Sequence, residues 1–203
     1  MRVLVVSDIH GSGVYADKLK EIIKKEKPEK IIVLGDLYYH GPRNPLTDGY
    51  EPKKVAKLLN SLKDKLEVVR GNCDAEVDQM VSEFEMKDNI LERINGKNMF
   101  FTHGHKYNID NIPNEDFDIM FYGHYHTCFI KKYDNQLFVN PGSISLPKEN
   151  TPHSYAMIEE KDIIIKEMVV VKIEHTTDPL NISEKGIRNL PSEISQPLAK
   201  KEP

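Results

Sequence analysis

Ile31-Ile32-Val33-Leu34-Gly35-Asp36 is a short apolar run, rich in β-branched residues, that stops at a glycine and a carboxylate. A run of this kind reads as a buried strand, and a carboxylate at its carboxyl end points into the crevice above a sheet. An Asp in that place also serves to cap the next turn. The two readings of Asp36 separate only if other strand ends deliver matching groups to the same edge.

Upstream, Val3-Leu4-Val5-Val6 is a first apolar strand that delivers Ser7-Asp8-Ile9-His10-Gly11. Residues two apart in an extended segment project the same way, so Asp8 and His10 offer an oxygen and an imidazole to one ion. Tyr15, Leu19, Ile22 and Ile23 follow at helical spacing with lysines between them, which predicts an amphipathic helix ended near Pro28. Strand, helix and strand in this order predict a right-handed crossover and a parallel pair, which brings Asp8, His10 and Asp36 to one edge. Downstream, Leu37 to Pro45 is dense in turn formers and predicts a loop over that edge. Arg43 in this loop is placed to clamp a phosphate, although a solvated arginine is the commoner state of the residue. Pro52 then opens a helix with Val55, Leu58, Leu59 and Leu62 on one face, and Leu66-Glu67-Val68-Val69 is a third strand. It exits at Arg70-Gly71-Asn72-Cys73-Asp74, where Asn72 offers an amide oxygen and Gly-Asn alone would signal only a turn.

The pattern then changes. Leu91 to Ile94 and Asn98 to Phe101 flank Asn95-Gly96 as a β-hairpin, and the second strand exits at Thr102-His103-Gly104-His105. Phe117 to Tyr122 is another strand and exits at Gly123-His124-Tyr125-His126. Two histidines at i and i+2 after a strand and a glycine face one way, as two metal-bound imidazoles must. Cys128 to Tyr133 and Gln136 to Asn140 form a further hairpin that leads into Pro141-Gly142-Ser143, predicted as a turn on the active-site rim. Met157-Ile158 and the run from Ile163 through Val171 are predicted to complete a second, mainly antiparallel sheet. From Glu174 the chain loses its periodicity. Residues 1–172 are therefore read as one domain, and residues 173–203 as a polar tail, partly ordered or disordered.

A chain of 203 residues with 39% hydrophobic content can bury a core as one domain. Its N-terminus turns polar too soon for a signal peptide or a membrane span. Cys73 and Cys128 follow no zinc or disulfide spacing, which fits a reducing compartment and predicts a cytoplasmic protein. A formal net charge of −4 gives no whole-chain attraction to nucleic acid or anionic membrane, so a nucleotide substrate would be held locally. Oligomeric state, a homo-oligomer included, stays open.

The candidate metal ligands are Asp8, His10, Asp36, Asn72, His103, His124 and His126. Imidazole and oxygen donors without thiolate suit Mn, Fe, Zn, Co or Ni, and the set is large enough for two divalent ions about 3.5 to 4 Å apart. Such a pair bridges a hydroxide and neutralises charge on phosphate oxygens. Ligand histidines must be neutral to bind metal, which predicts activity falling below about pH 6 to 6.5.

The order Asp8-Ile9-His10, Gly35-Asp36, Gly71-Asn72-Cys73-Asp74, Thr102-His103-Gly104 and Gly123-His124-Tyr125-His126 resembles the motif set of the calcineurin-like metallophosphoesterase superfamily over residues 1 to 172. His40-Gly41-Pro42-Arg43-Asn44, Arg70 to Asp74 and Asn140-Pro141-Gly142-Ser143 resemble its small prokaryotic phosphodiesterases. The resemblance implies an α/β fold, a four-layer α/β/β/α sandwich of two mixed β-sheets flanked by helices, with a dinuclear and commonly manganese-dependent site. It also implies that one ion takes Asp8, His10, Asp36 and His126, and the other Asp36, Asn72, His103 and His124.

Many relatives carry a histidine after the Asn, where this chain has Cys73, a poorer acid toward a leaving group at neutral pH. That predicts hydrolysis of small phosphodiesters with good leaving groups and little monoesterase activity, with Asp74 orienting a neighbouring group or a water. Gly35-Asp36-Leu37-Tyr38-Tyr39 also fits the Gly-Asp-x-x-Tyr motif of purple acid phosphatases, but His10 already fills the ligand position a tyrosine would replace. The alternatives are a phosphomonoesterase, or a protein-binding scaffold of the same fold as used in eukaryotic trafficking complexes. The complete ligand set favours the enzyme.

Overall fold

The computed structural model describes residues 1–160 and 162–168. The predicted tail, and the Val169-Val170-Val171 end of the last predicted strand, lie outside the described residues. The fold is built on two mixed sheets packed face to face, with flanking helices.

The first sheet begins with β1 (Val3–Val6), β2 (Lys30–Val33), β3 (Leu66–Val69) and the two-residue β4 (Met86–Lys87), all parallel neighbours. Helices α1 (Gly13–Glu26) and α2 (Pro52–Asn60) make the crossovers. Alternation along the strands explains their near-continuous apolar reading, because both faces are covered. Leu4, Val6, Ile31, Val33 and Val68 pack against Tyr15, Leu19, Val55 and Leu59 of the helices. Val3, Val5, Ile32, Leu34 and Val69 turn the other way, into a core shared with the second sheet. Each such side chain, fully buried, contributes about 1.5 to 3 kcal/mol.

Sequence also sets the ends of α1. Ser12 caps it by accepting the Tyr15 N–H at 3.3 Å. Lys27 closes it in the left-handed region at φ 49°, its N–H donating to the Ile23 carbonyl, one residue before Pro28.

The second sheet contains β5 (Ile90–Ile94), β6 (Lys97–Thr102), β7 (Ile119–Tyr122), β8 (Cys128–Tyr133) and β9 (Gln136–Pro141), in the order β5-β6-β7-β9-β8. The predicted Asn95-Gly96 hairpin is present, with φ of 48° and 85° at its two central residues. The expectation of a mainly antiparallel second sheet is corrected: its centre, β6-β7-β9, is parallel. The last hairpin, β10 (Ser154–Ile158) and β11 (Ile163–Glu167), does not join this sheet either. It pairs antiparallel with β1 and extends the first sheet, Val5 facing Ala156. The physical reason is two-sided burial. Tyr155 and Met157 enter the helix-side core while Ala156 and Ile158 enter the core between the sheets, an environment that only a strand beside β1 meets.

The outer face of the second sheet is closed by a loop. Tyr107, Ile109 and Phe117 pack over Phe100, Met120, Tyr122 and Phe138. A further short helix, α3 (Glu76–Val81), follows the third strand's exit and buries none of its residues. No described helix is long and apolar enough to cross a membrane.

Candidate metal centre

Parallel pairing lines up the exits of β1, β2 and β3, while β6 and β7 deliver theirs from the facing sheet. Asp8, His10, Asp36, His124 and His126 all take the left-handed backbone conformation, with φ between 48° and 63°. Each costs about 1 to 2 kcal/mol relative to an ordinary conformation. Long-range backbone bonds hold the turns: Asp8 N–H donates to the Gly35 carbonyl at 3.2 Å and His10 N–H to the Asp36 carbonyl at 2.9 Å. Two glycines are needed for closeness. A Cβ at Gly71 would strike the Asp36 carboxylate, and one at Gly123 would strike the Ser7 hydroxyl.

Three imidazoles are oriented by backbone carbonyls. The Nδ1 of His10 bonds to the Tyr39 carbonyl at 2.7 Å, that of His103 to the Leu34 carbonyl at 2.6 Å, and that of His126 to the Leu146 carbonyl at 2.6 Å. A carbonyl only accepts, so each Nδ1 carries a proton, and the Nε2 atoms of His10 and His126 turn lone pairs inward. There the donors converge. His10 Nε2 lies 3.2 Å from His126 Nε2, which lies 3.2 Å from Asp8 Oδ1. Asp36 Oδ2 is 3.6 Å from His10 Nε2 and 3.5 Å from His103 Nε2. His103 Nε2 is also 3.0 Å from Asn72 Oδ1 and 3.3 Å from His124 Nδ1.

This is a site built for cations. Ser7 Oγ, at 2.6 Å, and the His124 N–H, at 3.1 Å, satisfy Asp8 Oδ2, but Oδ1 is buried with no hydrogen-bond partner. Such an orphaned acceptor costs about 1 to 3 kcal/mol, more for a charge. Two neutral imidazole lone pairs facing each other beside it repel unless a cation lies between them. The residues present therefore fit divalent metal ions. The charges agree. Burial works to raise the Asp8 carboxyl, yet His126, His103 and His10 hold it well below the usual carboxylate range. Burial pushes His124 down to about 4, helped by His103, and also lowers His10. His103 goes the other way, to about 9, because Asp36 and then Asp8 outweigh its burial. The cluster's negative charge draws one proton to His103, the attraction a dication satisfies more fully.

All seven predicted ligands thus meet at one centre, and the remaining candidates stand around it in different ways. Asp74 is buried and accepts three backbone N–H groups, from Asp36 at 2.8 Å, Leu37 at 2.8 Å and Gly71 at 2.7 Å. It ties the exits of β2 and β3 together, and burial with the nearby Asp36 charge raises its carboxyl to about 6. Cys73 donates its backbone N–H to Asp36 Oδ1 at 2.9 Å. Its thiol lies within one donor group with His10 and Asp36 and is pushed up to about 12 by burial and then Asp36. Arg43 is exposed, and makes no side-chain hydrogen bond or ion pair among the described residues. The predicted rim turn Pro141-Gly142-Ser143 is corrected: all three residues are buried. Ser143 and Ser145 donate their hydroxyls to the Asp8 carbonyl at 2.8 and 2.9 Å, and Asn140 donates to the Gly123 carbonyl at 2.8 Å.

Ser7 and Ser145 were missed in the sequence, and so were the carbonyls of Leu34, Tyr39 and Leu146. Carbonyl acceptors leave no trace in residue type. Ser7, beside Asp8, was the one with a readable signal.

The sequence model of the calcineurin-like phosphoesterase superfamily domain matches residues 1–162. The chain is 39% identical over 165 residues to phosphodiesterase YfcE of Escherichia coli strain K12, covering 78% of this chain and 88% of that protein. It is 28% identical over 168 residues to the probable metallophosphoesterase YsnB of Bacillus subtilis, covering 78% and 83%. The solved structure of the E. coli phosphoesterase YfcE superposes with a TM-score of 0.79 at 35% identity, covering 82% of this chain and 93% of that one.

Proposed function

The chain belongs to the calcineurin-like phosphoesterase superfamily, and from that premise we propose that it is a phosphodiesterase that hydrolyses small phosphoric diesters with two divalent metal ions at the centre described above. Asp8, His10, Asp36 and His126 would hold one ion, and Asp36, Asn72, His103 and His124 the other, with manganese the first choice. Bound there, the ions would supply Lewis acidity toward the phosphate and activate a water at neutral pH. The observation that carries the reading is the buried, unpartnered Asp8 Oδ1 facing imidazole nitrogens whose protons are committed elsewhere.

The chain's own residues do the rest. Tyr39, Leu34 and Leu146 carbonyls keep three imidazoles in the tautomer that presents Nε2. Asp74 fixes the loop that sets Asp36 between the two halves of the site. Arg43, exposed and without a protein partner among the described residues, is free to meet a phosphate oxygen. Cys73 stays a neutral thiol, so it gives a poor leaving group little help. Diesters with acidic leaving groups are therefore preferred to alkyl monoesters. The cysteines Cys73 and Cys128 are both free, which supports a reducing compartment, the cytoplasm.

The test is hydrolysis of a chromogenic aryl phosphodiester beside its monoester, on chelator-stripped protein before and after manganese is added. Cleavage restored by metal, with the diester preferred, supports the reading. Bound metal without cleavage of either ester contradicts it.

A further inference from the structure

Residues 39 to 50 place three rings beside the centre that take no part in building it. Tyr39 and Tyr50 are 42% and 37% exposed. Each packs edge-on against His40 between them, at ring-centroid distances of 4.7 and 5.4 Å and interplanar angles of 68° and 85°. This is the preferred geometry of an aromatic cluster, and both tyrosines in it remain partly exposed to solvent.

The rings are tied to the site by backbone. The Tyr39 carbonyl is the acceptor for His10 Nδ1. Tyr50 lies over Gly11, where an added Cβ would come within 2.6 Å of the ring. The Gly11 carbonyl accepts from the Glu51 N–H at 2.8 Å, and Thr47 Oγ1 donates to the His10 carbonyl at 3.1 Å. Gly41 abuts the other side, since a Cβ there would lie 2.9 Å from Cys73 Sγ. His10 and Cys73 belong to one donor group with Asp36, so the cluster flanks that side of the centre. Within it, His40 Nδ1 is buried with no hydrogen-bond partner, and a buried polar atom of this kind calls for one.

We propose that Tyr39, His40 and Tyr50 form a specificity subsite for a flat aromatic group esterified to the phosphate. The inference rests on reading the centre as a phosphodiesterase and names the substrate class of that same site. Ring faces recognise any planar π system. An aryl ester and a nucleoside ester share this chemistry.

Calorimetric titration of the manganese-loaded full chain with phenyl phosphate, a nucleoside 5′-monophosphate and methyl phosphate tests it. Aromatic phosphates should bind about tenfold more tightly than methyl phosphate, a preference that Tyr39→Leu and Tyr50→Leu abolish and Tyr39→Phe keeps. Tight binding of phenyl phosphate alone assigns the subsite to simple aryl esters, and of both aromatic ligands to nucleosides as well. Equal affinities for all three in the wild type, or a preference that survives both leucine substitutions, would overturn the proposal. Tyr39 is exposed enough that its replacement leaves the core intact. Because binding is read directly, failure of the subsite is told apart from failure of the phosphodiesterase reading, which diester hydrolysis by the wild type reports separately.

Discussion

At the residue scale, the donors were legible because each sits at a strand exit marked by glycine, carboxylate or paired histidines, a pattern that survives in residue type alone. Asp74 was half legible. Its position beside Asn72 marked it, but its employment on three backbone N–H groups depends on how two loops meet. Asp74→Ala leaves those groups buried and unpaired, and urea denaturation should show a loss of roughly 3 kcal/mol. A stability unchanged from wild type would remove Asp74 from this role. Cys73 carries a chemical prediction. Its thiol, at about 12, is neutral and protonated at neutral pH, whereas an imidazole in its place can protonate a departing alkoxide. Cys73→His should raise the monoester-to-diester ratio of kcat/KM by about tenfold or more. An unchanged ratio would show that the thiol does not set the preference.

At the element scale, periodicity was sufficient for α1 and α2 and insufficient for the edges of the sheets. Tyr15, Leu19 and Ile22 are buried where their spacing placed them. The β10–β11 hairpin was assigned to the wrong sheet because sequence neighbours usually pair, while here burial on two faces draws β10 to β1. Helix α3 was missed because its exposed Val77, Met80 and Val81 pack against no core that periodicity would reveal. The cap of α1 gives a local prediction: Ser12→Ala should cost about 1 kcal/mol in thermal or urea unfolding. The other end of α1 is tied to β10 and β11 through Glu26, which accepts from Tyr155 Oη and Lys166 Nζ, each at 2.9 Å. Burial works to raise the Glu26 carboxyl, but Lys166 and Tyr155 outweigh it and hold it below its ordinary value of 4.5. A carboxyl lowered in this way contributes stability that is complete above its unfolded pKa and lost as pH falls through the folded one. Glu26→Gln should therefore cost about 2 kcal/mol near neutral pH, and the gap in Tm from wild type should narrow as the pH falls below the ordinary value of 4.5. A gap that stays constant from pH 7 to pH 3.5 would contradict this account.

At the scale of the whole molecule, two sheets share one core and send their strand exits to one place, so the site exists only when both are packed. Lys30 of β2 binds Glu67 of β3 at 2.9 Å and Glu92 of β5 at 2.6 Å, linking the sheets away from the site. At the other end Asp8 and Asp36 of the first sheet meet His103, His124 and His126 of the second, so ions bound as proposed would join the same two sheets there. Folding and metal binding are then linked, and stripping with chelator should lower Tm by the equivalent of about 2.7 kcal/mol for each ion removed, relative to protein held at a hundredfold excess over Kd. The central claim is a shared pair of ions with Asp36 between them, and titration of stripped protein with manganese tests it most directly. Two ions should bind per chain in the wild type, and Asp36→Asn should weaken both sites together. A single ion in the wild type, or two ions bound by Asp36→Asn with unchanged affinity, would contradict it.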